Sequence, residues 1–164
     1  MARPRNVTEI FNNEIKEQFH FNFELKDEQV RVVDSIPQHN HTVGVFPTGF
    51  GKSICYLLPP LIFDRLDNKV QHTCIVVSPL KSLMLDQCKH NASHGISAAV
   101  IQAKDEMSSK VVEGIKKGTF SVLYMSPETL LDIDSWKDML LGSKIYKESV
   151  CLIAIDEEHI MESW

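Results

Sequence analysis

The fold depends on one stretch, Val43-Gly44-Val45-Phe46-Pro47-Thr48-Gly49-Phe50-Gly51-Lys52-Ser53, in which an apolar segment leads into a glycine-rich turn. Residues 43–46 predict a buried strand, and the following pattern predicts a helix that starts near Lys52. Gly49 and Gly51 permit backbone conformations that a Cβ would obstruct, and the unpaired N–H groups of a helix start favour an anion. We therefore expect a phosphate-binding loop. Lys52 would reach the β- and γ-phosphates, and the Ser53 hydroxyl would help to bind Mg²⁺.

A second apolar run, residues 150–155, ends in the acids Asp156, Glu157 and Glu158. Its β-branched composition predicts a strand covered on both faces, and a parallel sheet would bring its carboxyl end beside the phosphate loop. Asp156 would then bind Mg²⁺, and Glu157 would accept a proton from the water that attacks the γ-phosphate. Taken alone, three adjacent acids are also typical of a solvated turn or helix start. The pairing with Gly-Lys-Ser favours the functional interpretation.

Composition limits the class of protein. The chain has 164 residues, 43% of them hydrophobic, and a net charge of −5 at pH 7. This suits one globular domain and argues against a polybasic nucleic-acid binder, so nucleic-acid contact would be local. The sequence contains no apolar run long enough to span a membrane and no signal peptide, which predicts a soluble intracellular protein. The four cysteines form no Cys-x-x-Cys pair, and we expect reduced core thiols.

The rest of the chain alternates strand and helix patterns, which predicts an α/β fold with a parallel sheet. We expect helices at 8–19, 54–63, 80–90 and 105–117, with Pro59 and Pro60 interrupting the second, and strands at 73–77, 97–101 and 119–125. Two loops at strand ends carry a Ser-Pro pair, Ser78-Pro79-Leu80 and Ser126-Pro127. Each serine can cap a helix, and each helix start can also bind a phosphate of a nucleic-acid strand.

Several blocks together resemble the RecQ-type DNA helicases of superfamily two. Residues 46–59 are similar to the family's phosphate loop, which usually has Met and Gly where this chain has Phe46 and Phe50. Residues 76–87 and 124–128 are similar to its next two motifs, and residues 156–164 to its DEAH box, with Glu158 in place of the usual Ala. The resemblance covers the chain from about residue 20 to its last residue. It implies the first RecA-like lobe of a P-loop NTPase, with residues 1–19 as a tail and helix and 20–164 as a partial helicase domain.

The resemblance also implies roles for individual residues. ATP and Mg²⁺ would be the cofactors, and Gln29 would grip the adenine, while Pro47 to Ser53 would surround the phosphates. DNA would be the partner, contacted by Ser78, Pro79, Leu80, Ser126 and Pro127. His159 and Trp164 would couple nucleotide and DNA. The parent enzyme would unwind DNA with 3′-to-5′ polarity, in the nucleus, in repair or recombination.

The family's lobe implies a further strand beyond Trp164, placed between the Lys52 strand and the Asp156 strand. A second lobe would add an arginine finger, so we expect no unwinding by these residues alone. A noncatalytic module that binds nucleotide or a partner, or an inactive fragment, is the alternative. A small P-loop kinase is a further alternative, but it leaves the Ser78 and Ser126 blocks unexplained.

Overall fold

A computed structural model describes residues 6–38, 41–67, 69–103, 106–131, 136, 140 and 142–156. The helices are α1 Val7–Ile10, which continues as a π-helical segment Phe11–Ile15, α2 Asp27–Ser35, α3 Ile54–Leu66, α4 Lys81–Ser93, α5 Ser109–Lys117, α6 Pro127–Leu131 and α7 Lys144–Ser149. The strands are β1 Thr73–Val77, β2 Ala98–Val100, β3 Val122–Met125 and β4 Val150–Ile155. No helix in these ranges has both the length and the apolar character needed to cross a bilayer.

The four strands form one sheet in the order β2-β3-β1-β4, and every neighbouring pair is parallel. This confirms the predicted α/β fold, because parallel neighbours require crossover helices. Ser78 follows β1, Ser126 follows β3 and Asp156 follows β4, so all three lie at the carboxyl edge of the sheet. Ligands bind at this edge in open α/β sheets.

The sheet separates two apolar cores. Alternate residues of β1 point to opposite faces: Cys74 and Val76 pack with α1, α3 and α4, whereas Ile75 and Val77 pack with α5 and α7. Both faces of the central strands are therefore covered, as expected for parallel sheets. Trp136 lies in the second core and donates from Nε1 to the Gln102 carbonyl at 3.0 Å.

Helix α3 runs without a break through Pro59 and Pro60, so the predicted interruption is wrong. Proline removes a helical N–H donor and usually bends or ends a helix. Here nine consecutive residues, Ile54–Ile62, are buried. Packing on all sides stabilises the helix despite the missing donors.

The strand predicted at residues 43–46 is absent, and this prediction is wrong. The segment has no regular secondary structure and pairs with no described strand, and the exposed fractions of Val43 and Val45 are 90% and 79%. Strand β4 forms the nearest edge of the sheet. Its Ile153 and Ile155 are 53% and 70% exposed, so the prediction that this strand is covered on both faces is wrong. A cleft of about 610 Å³ separates β4 from residues 43–46. Residues 43–46 have no strand partner among the described residues, and a strand requires one to satisfy its backbone.

Candidate nucleotide site

The phosphate loop is a compact turn that ends at the start of α3. The Phe50 N–H donates to the Pro47 carbonyl at 3.2 Å, and Gly49 and Gly51 have φ of 77° and 91°, values that favour glycine. Helix α3 begins at Ile54 with Ser53 at its N-cap, close to the predicted start. The N–H groups of Gly49, Gly51, Lys52 and Ser53 have no protein acceptor among the described residues. An anion bound here would receive several backbone hydrogen bonds.

Gln29, on α2, forms hydrogen bonds with the backbone of this loop. The residue is 3% exposed, and its Nε2 donates to the Phe50 carbonyl at 3.2 Å and to the Gly51 carbonyl at 3.1 Å. Its Oε1 accepts from the Lys26 N–H at 2.9 Å. An amide NH₂ has two donor hydrogens, so a contact with another acceptor would have to replace or share one of these bonds. A Cβ at position 51 would approach Gln29 Nε2 to 2.9 Å, so glycine is also required for this close contact.

Asp156 reaches the same region from the sheet. Its N–H donates to the Val77 carbonyl at 2.9 Å, which continues the β1–β4 ladder past the end of β4. Lys52, Tyr56 and Asp156 all line the cleft. Burial, together with the nearby Tyr124 and Asp156, raises the pKa of Tyr56 well above its ordinary value. The structure therefore brings together two residues that the sequence predicts for one site, Lys52 and Asp156.

Oxygen ligands for a cation are present at this site. The Ser53 hydroxyl follows Lys52 directly, and the Asp156 carboxylate lines the cleft that Lys52 also lines. Hydroxyl and carboxylate oxygens are the ligands that Mg²⁺ accepts, usually with several waters. No cluster of three or more His, Cys, Asp or Glu side chains suited to a metal occurs in the ranges that the structure describes. The donor set thus fits a cation held partly by a bound phosphate.

The two Ser-Pro loops differ from each other. The Ser126 Oγ accepts from the Thr129 N–H at 3.2 Å, so this serine caps α6. Ser126 also lowers the pKa of Glu128 through a side-chain hydrogen bond. Ser78 does not cap α4: it is 3% exposed, and its buried hydroxyl has no hydrogen-bond partner among the described residues. Pro79 and Leu80 beside it are exposed. The edge is therefore accessible at Pro79 and Leu80, whereas the Ser78 hydroxyl lies below the surface.

Three residues predicted for the site, Glu157, His159 and Trp164, lie outside the described residues, as does Glu158. The other predicted site residues lie within the described ranges. Those of the nucleotide site include Gln29, Pro47, Thr48, Phe50 and Ser53, and those of the carboxyl-edge loops are Ser78 to Leu80, Ser126 and Pro127.

Two features were missed by the sequence reasoning. The rings of Phe46 and Phe50 stack with centroids 4.9 Å apart and planes 2° apart, and Lys26 Nζ lies 3.9 Å from the Phe50 centroid. The signal for the stack was two aromatic residues four apart around the glycine-rich turn. A buried hydrogen bond of 3.0 Å also joins Asn91 Nδ2 to the Tyr124 hydroxyl. It had no local signal, because the two residues are distant in sequence.

Comparisons with known proteins identify the family of the chain. The family described as DEAD/DEAH box helicase matches residues 26–164. The ATP-dependent DNA helicase RecQ of Bacillus subtilis is 38% identical over 142 residues, which are 85% of this chain and 21% of that protein. The ATP-dependent DNA helicase Q-like 5 of Arabidopsis thaliana is 33% identical over 142 residues, or 85% of this chain and 14% of that protein.

A solved structure has the same fold. The DUF1998 helicase MrfA, bound to DNA and AMPPNP, superposes with a TM-score of 0.69 at 22% identity, covering 94% of this chain and 22% of that one. The chain spans about a fifth or less of the length of these relatives. The fold is that of a RecA-like P-loop lobe, and the chain belongs to the DEAD/DEAH box helicase family, with RecQ-type helicases among its relatives.

Proposed function

We propose that this chain binds MgATP and is the nucleotide-binding part of a RecQ-type, ATP-dependent 3′-to-5′ DNA helicase. The observation that carries the proposal is the cleft shared by Lys52 and Asp156, next to a loop in which the N–H groups of Gly49 and Gly51 to Ser53 have no acceptor in the described part of the chain. These donors and the Lys52 ammonium suit the oxygens of a polyphosphate. The RecQ-type relatives are named as ATP-dependent DNA helicases.

Each part of the site has a proposed role. The backbone from Thr48 to Ser53 and the Lys52 ammonium bind the phosphates. Ser53 and Asp156 hold Mg²⁺, which neutralises charge that develops on the phosphate oxygens. Glu157 orients and deprotonates the attacking water. Gln29 contacts the adenine, and for its Nε2 to reach N7 it exchanges a bond that it now makes to the loop.

DNA contact is assigned to the carboxyl edge of the sheet. Pro79 and Leu80 are exposed there, and Ser126 and Pro127 are half-buried. For Ser78 to contact DNA the loop would have to move, because its hydroxyl is buried and its N–H donates to the Met125 carbonyl at 3.0 Å. His159 and Trp164 couple nucleotide and DNA. A nuclear location and a part in repair or recombination complete the proposal.

The first experiment is a thermal melt with and without MgATP, on the wild-type chain, Lys52→Ala and Lys89→Ala. Lys89 is an exposed lysine on α4 whose Nζ lies 3.8 Å from Asp86, so it controls for loss of a surface charge. At a ligand concentration of one hundred times Kd, binding to the native state alone stabilises it by about 2.7 kcal/mol. MgATP is expected to raise the Tm of the wild type and Lys89→Ala, but not of Lys52→Ala. Equal shifts in all three would contradict a phosphate site at Lys52.

A noncatalytic module is the second candidate, and the open cleft between the loop and β4 favours it. Phosphate release distinguishes the two. MgATP-dependent stabilisation without phosphate release, in the presence and absence of single-stranded DNA, would support a module that binds without turnover.

A further inference from the structure

Phe50, in the middle of the phosphate loop, makes contacts through both its ring and its carbonyl. Its ring stacks on Phe46 with centroids 4.9 Å apart, and Lys26 Nζ lies 3.9 Å from its centroid. The same Nζ donates to the Phe50 carbonyl at 3.0 Å, and Gln29 Nε2 donates to that carbonyl at 3.2 Å. We call Lys26, Phe46 and Phe50 the loop stack. The loop stack thus fixes both the side chain and the peptide carbonyl of one loop residue.

A hydrogen bond that fixes a peptide carbonyl also fixes the N–H group of the same peptide. In a trans peptide the carbonyl oxygen and the amide hydrogen point in opposite directions. The Phe50 carbonyl shares its peptide plane with the Gly51 N–H, and the Gly51 carbonyl shares its plane with the Lys52 N–H. Lys26 and Gln29 both bond the Phe50 carbonyl, whereas the Gly51 carbonyl accepts from Gln29 and from the Ile54 N–H at 3.2 Å. The bonds from Lys26 and Gln29 direct both N–H groups away from α2. Neither N–H has a protein acceptor among the described residues.

We propose that the loop stack, together with Gln29, positions the Gly51 and Lys52 N–H groups for phosphate before nucleotide arrives, and that Lys26, Phe46 and Phe50 are positioning residues of this site. The proposal rests on the proposed function, that the loop binds nucleotide phosphates. A flexible loop with Gly at 49 and 51 loses conformational freedom when it closes on a ligand. A loop already held in place loses less, so its affinity is higher.

The two rings of the loop stack are a feature of this chain. Where the resembling helicases usually carry Met and Gly, this chain has Phe46 and Phe50. A glycine at position 50 would offer Lys26 and residue 46 no ring. If the Phe50 ring instead obstructed the phosphate site, removing the ring would tighten the binding of phosphate ligands.

The experiment measures Kd by calorimetry for Mg-tripolyphosphate, MgATP and MgGTP on the wild type, Phe50→Leu, Phe46→Leu and Lys26→Met. Lys89→Met is the matched control for loss of an exposed ammonium. Phe50→Leu and Lys26→Met are expected to weaken all three ligands about three- to tenfold and by similar factors, because the loop backbone contacts phosphates rather than the base. Phe46→Leu is expected to act in the same direction, and Lys89→Met to have no effect.

Unchanged or tighter binding of tripolyphosphate by both Phe50→Leu and Lys26→Met would overturn the proposal. A loss confined to MgATP would also overturn it, since that result indicates base recognition. The Tm without ligand shows whether each variant is folded, and Phe46→Leu provides a second probe of the stack if Phe50→Leu is not. If the wild type bound no tripolyphosphate, the proposed function would fail too. If Lys52→Ala abolished binding while the loop-stack variants bound normally, only the present inference would fail.

Discussion

Lys52 and Asp156 line the same cleft, although the segment before Lys52 and the strand before Asp156 do not pair. Lys52 is placed by the turn that starts α3, and Asp156 by its N–H bond of 2.9 Å to the Val77 carbonyl. The two halves of the site are therefore supported by different parts of the core.

This arrangement predicts that Asp156→Asn affects the cation more than the phosphates. We expect Asp156→Asn to weaken MgATP binding about tenfold, because the carboxylate proposed to bind Mg²⁺ is replaced by a neutral amide. ATP binding in excess EDTA should change less than twofold. Titration calorimetry under both conditions measures the difference. An equal loss with and without Mg²⁺ would show that Asp156 supports the fold of the site rather than the cation.

Strand β4 has a neighbour on one side only among the described strands, which predicts self-association of the isolated chain. Exposed edge strands with apolar side chains pair with other chains, and a lysine on the edge opposes this pairing. Ile155→Lys is expected to lower the fraction of dimers and larger species in sedimentation velocity at micromolar concentrations. Leu131→Lys is the control, because Leu131 is 74% exposed but lies on α6. Equal effects of the two substitutions would indicate general solubility rather than strand pairing.

The buried bond between Asn91 and Tyr124 predicts a stability loss without a change in shape. Tyr124→Phe removes the acceptor of the Asn91 Nδ2 bond, and Asn91 Oδ1 is already buried without a partner in the described residues. We expect the free energy of unfolding to fall by about 1–3 kcal/mol, the cost of leaving a buried donor unsatisfied. Urea unfolding followed by circular dichroism measures it. A change below about 0.5 kcal/mol would mean that water replaces the hydroxyl.

Stability is expected to fall at alkaline pH. Burial raises the pKa of the Cys55 and Cys88 thiols from 9.0 to about 11 each and that of Cys151 to about 12. A raised pKa means that the folded state binds the proton more tightly. The buried thiols therefore contribute fully to the free energy of unfolding below pH 9. This contribution is lost as the pH rises from 9 to about 11 or 12. Unfolding at a series of pH values should show this decline, with a smaller decline for Cys55→Ala. A flat profile up to pH 11 would contradict it.

Local pattern was sufficient for part of the fold. The strands at 73–77 and 150–155 were predicted correctly because each is an apolar run rich in β-branched residues. Only the strand at 73–77 is buried along its whole length. The turn at Gly49 and Gly51 followed from glycine alone. These features depend on residues adjacent in sequence, so one sequence is enough.

Long-range contacts explain the remainder. Whether residues 43–46 form a strand depends on a neighbour that the segment itself does not encode, and Val43 is accordingly exposed. The bonds from Lys26 and Gln29 to the Phe50 carbonyl join α2 to a loop through the fold. Burial of the Ser78 hydroxyl depends on packing around the end of β1. None of these has a periodicity or spacing that reveals it.

The hydrogen-bond ladder of the sheet extends one residue beyond its strands on both sides of β1. The Ser78 N–H donates to the Met125 carbonyl at 3.0 Å, and the Asp156 N–H donates to the Val77 carbonyl at 2.9 Å. The first residue after β1 and the first residue after β4 are thus each bonded to the last residue of a neighbouring strand. A shift of β1 along its axis would displace the acidic residue and the Ser78 loop together, so the sheet is a mechanical connection between them that requires no mobile loop. Amide hydrogens of Ser78 and Asp156 should consequently exchange with solvent in the same opening event.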